Sequence, residues 1–201
     1  MRRSLVRWWT ILWQHARRTV EVRMIRLDQL VTAALSGRGH VLLADSPHVA
    51  FLREFGDAPG ISLAALRQTA YYRHAVNDIG QLGSFFGITD PDRLDEQARY
   101  FLDLYRAIRR EGPDAVDPRY GSRGRFRSME RYPTVANVTG GPYFVIVDGH
   151  HRCAACYAAG YEVIAARLLG AAPVSLETLV QAGVVPPEAA SQRRRPSSGP
   201  A

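Results

Sequence analysis

The stretch Val145-Ile146-Val147-Asp148-Gly149-His150-His151-Arg152-Cys153-Ala154-Ala155-Cys156 joins an apolar, β-rich run to a small-residue helix through two histidines and an arginine. A strand that breaks into a helix in this way points the first helical N–H groups at one place. Those groups carry partial positive charge and have no partner inside the helix. With Arg152 and one or both histidines beside them, they make a compact site for an anion, above all a phosphate. The plainer alternative is a tight Asp-Gly turn followed by surface basic residues.

Asp148 needs its own account, because a carboxylate beside a phosphate repels it by roughly 1 kcal/mol at 4 Å in water and by more where water is scarce. Three roles resolve this. Asp148 caps the helix, holds Mg²⁺ that bridges to phosphate oxygens, or accepts a proton from a substrate hydroxyl. His150 and His151 leave the helix start in different directions, so at least one is expected to face a ligand while the other packs. A second constellation is Asp45-Ser46-Pro47-His48, a helix-capping signal with proline at the first turn. Capping accounts for Asp45 and Pro47, which leaves His48 as a secondary site candidate together with Asp45 and Ser46. Tyr71, Tyr72 and Arg73 either stack on a base or sugar or pack in the core. The pair Cys153 and Cys156 is spaced for redox chemistry or for half of a zinc site, and equally suits two small buried side chains.

Composition limits the chemistry further. The 201 residues suit one domain with appendages, and with 46% hydrophobic residues there is enough apolar material for a core. All 26 basic residues are arginine, which excludes Schiff-base lysine chemistry and a P-loop lysine. The net charge of +7 owes much to the ends: Arg2, Arg3, Arg7, Arg17 and Arg18 at one, Arg193, Arg194 and Arg195 at the other. Nucleic acid is therefore a weakly supported partner for the body of the chain. Residues 1–18 combine arginine with Trp8, Trp9 and Trp13; they are too short and too charged to span a bilayer, and suit peripheral membrane contact or packing on a partner. Two cysteines imply no disulfide framework, so a reducing, cytoplasmic setting is expected.

Along the chain, strands are expected at 20–25, 40–44, 133–138, 143–147 and 162–168, and helices at 27–34, 49–55, about 92–110, 151–159 and 173–182. Residues 61–120 read as mostly helical. In the long helix Leu94, Ala98, Phe101, Leu102, Tyr105 and Ile108 recur at the spacing of a core-facing stripe. Residues 187–201, rich in Pro, Ser and Arg, read as disordered. Strand, Asp-Gly, helix, Gly160 and strand form a compact β–α–β order whose Ala and Cys side chains let helix and sheet approach closely.

The run Val145 to Ala155, followed by Gly160-Tyr161-Glu162-Val163-Ile164, resembles the core of the ParB/sulfiredoxin superfamily, and Val20 to Leu30 looks like its opening segment. The resemblance covers residues 19–55 loosely and 130–180 well. It implies an α/β (α+β) fold, a small mixed sheet with helices, over residues 19–185, with a helical insertion at about 61–120 and a tail at 186–201. It also implies that Gly149, His150, His151 and Arg152 cradle the phosphates of ATP or CTP, with Mg²⁺ as a companion. Sulfiredoxins carry a reactive cysteine where this chain has His150, and chromosome-segregating ParB proteins carry a Glu-Arg-Arg type turn and a downstream DNA-binding domain. The Asp-Gly-His turn is closest to the branch of free-serine kinases. The expectation is thus nucleotide-phosphate binding, with phosphoryl transfer to a small acceptor such as a free amino acid or with nucleotide hydrolysis, and with Asp148 and His150 as catalytic candidates and Asp148 as the metal candidate. The alternative is a non-enzymatic, nucleotide-responsive ParB-like module for a protein or nucleic-acid partner.

Overall fold

A computed structural model describes residues 21–33, 39–115 and 132–188. The aromatic segment 1–18, the arginines between 119 and 131 and the tail from 189 lie outside the described residues. The described elements are β1 (Glu21–Arg26), β2 (Leu30–Ala33), β3 (His40–Leu42), α1 (Pro47–Phe55), α2 (Leu63–Arg67), α3 (Ala70–Leu82), α4 (Leu94–Glu111), β4 (Thr134–Thr139), β5 (Phe144–Asp148), α5 (His150–Ala158), β6 (Val163–Ser175) and α6 (Leu176–Gln181). They build the α/β architecture expected from the sequence, around a mixed six-stranded sheet in the order β1-β6-β4-β5-β2-β3.

The two sheet faces are covered unequally. One carries the larger core, in which Leu30, Val135, Ile146, Ile164 and Ala166 meet α1, α4 and α5. The other carries a smaller cluster of Val31, Ala136, Val138, Ala172 and Val174 under Leu176 and Leu179 of α6. The alternation Leu30/Val31 and Val135/Ala136 is the period-2 rule that assigns neighbouring residues to opposite faces.

That rule also corrects the helix expected at 27–34. Leu27-x-x-Leu30-Val31 imitates helical spacing, but Leu30 and Val31 are both fully buried on opposite sides of the sheet. Only a strand does this. The chain makes a 3₁₀ turn at Leu27–Gln29 and then β2, paired parallel to β5 and antiparallel to β3. The last helix is likewise shorter than expected. Residues 163–175 form one long strand, and Pro173 falls beyond the pairing with β1, where β4 is the strand's one neighbour among the described residues, so its missing N–H need break no ladder bond there. The strand–helix–strand unit is present, but β4 lies between β5 and β6, antiparallel to one and parallel to the other. It is therefore not a parallel crossover.

The helices that reach the site are fixed at their starts. Ser46, not Asp45, caps α1, its hydroxyl accepting from the Val49 amide at 3.2 Å with Pro47 in the first turn. Thr69 caps α3, and Gly83 at φ 88° ends it in the left-handed conformation. The stripe of α4 is core as expected: Leu94, Ala98, Phe101, Leu102 and Ile108 are at most 1% exposed. Each large side chain among them contributes about 1.5–3 kcal/mol of burial.

Candidate functional site

The start of α5 is shaped by two glycine-dependent contacts. Gly149 sits at φ 84°, and a Cβ there would lie 2.7 Å from Pro133 Cβ, so the residue is held to glycine by conformation and by space. Its amide donates to the Asp148 carboxylate at 2.8 Å. Asp148 thus closes its own turn instead of capping α5, and the helix start carries no side-chain cap. By helix geometry the amides of its first turn have no carbonyl one turn earlier to accept from them. Small side chains then seat α5 in the core: Cys153, Ala154, Ala155 and Cys156 are fully buried. Burial pushes the Cys153 thiol well up and that of Cys156 to about 12, so this pair packs as free thiols and is unsuited to thiolate redox chemistry.

Four of the chain's six histidines converge beside this helix start. His48 of α1 is the hub, with ring centroids 5.2 Å from His151, 5.4 Å from His74 and 6.1 Å from His150. The two constellations that are separate in the sequence are therefore joined in space through His48. Its companions divide: the Ser46 hydroxyl is used in capping, and Asp45 is exposed on the preceding turn. His150 is half-buried. His151 is buried, shares a 2.9 Å hydrogen bond with the Tyr71 hydroxyl and packs against Phe101 and Phe86. Tyr71 is fully buried, so it belongs to the core and not to a stacking platform. Phe86 is 41% exposed and is the only non-glycine described residue with positive φ, at 48°; its ring lies 4.3 Å from that of His151 and 6.2 Å from that of His150.

Arg152 departs from its expected role. Its guanidinium is buried, donating from Nη1 to the Pro113 carbonyl and from Nη2 to the Ala115 carbonyl, both at 2.9 Å. It ties α5 to the segment that follows α4, and both terminal nitrogens are taken up by these carbonyls. A buried arginine needs acceptors, and these carbonyls lie past the end of α4, where no helical amide reaches them.

Burial disfavours positive charge on three of the four rings. Desolvation holds His48 well below the ordinary histidine range, with His151, His150 and His74 adding to the effect. Desolvation pushes His150 down to about 4 against the pull of Asp148. His74 is lowered by burial, although the Asp78 carboxylate lies 3.7 Å from its Nε2. Two ring nitrogens, His48 Nε2 and His74 Nδ1, are buried without a hydrogen-bond partner. Such atoms cost about 1–3 kcal/mol each. The donor set does not suit Mg²⁺: one carboxylate, Asp148, stands at the turn and already accepts from Gly149. Among the described residues no group of three or more His, Cys, Asp or Glu side chains is arranged to hold a metal ion.

His74 escaped the sequence reading. The signal for it is on α3, where Tyr71, His74 and Asp78 recur at three- and four-residue spacing and so share one helix face. Compared with known proteins, the chain matches no family model, no curated protein and no solved structure.

Proposed function

We propose that the start of α5 binds the phosphate group of a nucleotide, ATP or CTP, and that the chain acts as a ParB/sulfiredoxin-like binding module through it. The observation that carries this reading is the unpartnered Nε2 of the buried His48 beside a helix start without a side-chain cap. The first-turn amides of His150, His151 and Arg152 supply donors and the positive end of a helix dipole. His150, half-buried, supplies an imidazole N–H and takes up a proton when a dianion approaches, because negative charge raises the pKa that burial lowers. His48 stands behind it and His151 is locked by Tyr71, so the ring set is organised before the ligand arrives.

The module is favoured over phosphoryl transfer by two particulars. The Arg152 terminal nitrogens are engaged by Pro113 and Ala115, and Asp148 is engaged by Gly149. Neither is poised to neutralise a transferring phosphoryl group or hold its metal. The test is calorimetric titration of the full chain with ATP, ADP and CTP, with and without Mg²⁺, followed by incubation with serine. The reading expects saturable binding without Mg²⁺, weakened by His150→Ala, and no phosphoserine. Phosphoserine formation lost in Asp148→Asn would replace the module by the kinase, and absence of binding to any nucleotide would remove both.

A further inference from the structure

Just past the end of α3 the chain makes a two-residue hairpin. Phe85 and Ile88 exchange both backbone hydrogen bonds, each at 2.9 Å, around Phe86 and Gly87. The tip has φ 48° at Phe86 and 81° at Gly87, the two positive angles of a type I′ turn. Glycine suits the second of these places. The first is ordinarily taken by Asn, Asp or Gly, and a phenylalanine there strains the backbone.

The neighbours of the turn show what the strain holds in place. Phe85 is buried, its ring stacked 6.3 Å from that of His48 and edge-on to His74 at 5.9 Å, so it anchors the turn to the histidine cluster. Phe86 brings a second ring to the same cluster, tilted against His151 and edge-on to His150 and His48. Core packing alone does not account for it, because the other aromatic partners of His48, Tyr71, Phe85 and Phe101, are buried. Phe86 is the one exposed aromatic residue among the described residues. A strained turn thus keeps an accessible π-system beside the ring of His150.

The adjoining site says what that ring meets. On the nucleotide reading, phosphates lie against the first-turn amides of α5, next to His150, and the sugar and base extend beyond them. A partly exposed aromatic ring 6.2 Å from the His150 ring offers the base a surface to stack on. Stacking of this kind adds affinity for any base, because every base has a π-face. An alkyl side chain would cover His151 equally well and would lack this contact.

We propose that Phe86 stacks on the base of the bound nucleotide, and that the Phe85–Ile88 turn is the base-binding element of the site. This rests on the nucleotide reading and adds to it a contact that the phosphates do not make.

The experiment titrates the full chain and its Phe86→Asn, Phe86→Leu and Phe86→Tyr variants calorimetrically with ATP, with CTP and with inorganic tripolyphosphate, which has the phosphates and no base. Asparagine suits the positive φ of the turn, and leucine keeps an apolar side chain at His151 without a π-face. Thermal unfolding verifies that both variants are folded. The expected result is a loss of about tenfold or more in affinity for ATP and CTP in Phe86→Asn and in Phe86→Leu. Phe86→Tyr keeps nucleotide affinity, and tripolyphosphate affinity is the same in all four chains. Unchanged nucleotide affinity in either Phe86→Asn or Phe86→Leu overturns the stacking role and leaves the phosphate reading standing. A loss shared equally by tripolyphosphate also overturns it, because the residue then acts on the histidines and not on the base. A wild-type chain that binds none of the three removes both readings together.

Discussion

The imidazoles of His48 and His150 face each other at 6.1 Å with their planes 28° apart, one from the first turn of α1 and the other from the first turn of α5. His48 is buried with an unpartnered Nε2, and His150 is half-buried. The pair therefore offers a test that separates function from structure. His48→Leu removes a buried polar atom without a partner, and the expected gain in stability is about 1–3 kcal/mol. If the ring serves a ligand, nucleotide affinity falls at the same time. His150→Ala lowers affinity by roughly tenfold or more, the worth of a hydrogen bond to a charged group, with little change in melting temperature. Thermal unfolding and calorimetry on the same two variants check both halves.

Arg152 gives the opposite pattern. Removing the guanidinium leaves the Pro113 and Ala115 carbonyls without their donor. Arg152→Ala is expected to cost about 2–4 kcal/mol of stability. Arg152→Lys recovers little, because one ammonium lacks the planar fork that serves two carbonyls. Denaturant unfolding measures this. Loss of nucleotide affinity in Arg152→Lys without loss of stability would return the residue to the phosphate cradle.

Much of this was legible in the sequence. The turn at Asp148-Gly149, the small-residue helix after it and the core stripe of α4 follow from local chemistry: glycine at positive φ, alanine and cysteine where backbones approach, apolar residues at helical spacing. What local chemistry could not show was pairing across the chain. Leu30 and Val31 look helical until opposite sheet faces claim them. Arg152 looks like a phosphate ligand until the segment after α4 presents the Pro113 and Ala115 carbonyls. His74 is unremarkable in sequence, and it joins the site only because α3 packs beside α1.

Gly149→Ala tests the turn itself. The substitution strains the backbone at φ 84° and drives a methyl group into Pro133. A loss of about 1–3 kcal/mol is expected from the conformation alone, with contact on Pro133 adding to it. Thermal unfolding reads the loss, and weakened nucleotide binding accompanies it, because Gly149 sets the direction of the first α5 amides.

The histidine cluster fixes a pH dependence. His48, His74 and His150 have folded-state pKa values below the ordinary 6.5, that of His150 at about 4, so as pH falls from about 6.5 the unfolded chain binds more protons than the folded one. Stability is complete above 6.5 and declines as pH falls, by up to about 1.4 kcal/mol per pH unit for each such histidine. Asp78, raised by burial, acts in the opposite sense at the acid end of that range. Urea unfolding between pH 7.5 and 4.5 should show the decline, and His48→Leu should flatten it. Nucleotide affinity runs the other way, rising as pH falls from 7.5 to 6, because the anion favours the protonated rings.

The most direct measurement is nuclear magnetic resonance of the histidine rings in the full chain during titration with ATP or CTP at pH 7. The account predicts saturable shifts at the His150 and His48 imidazoles, with protonation of His150 in the bound state and the His151–Tyr71 hydrogen bond preserved. Rings that stay unchanged while nucleotide binds, or a chain that binds no nucleotide at all, would contradict it.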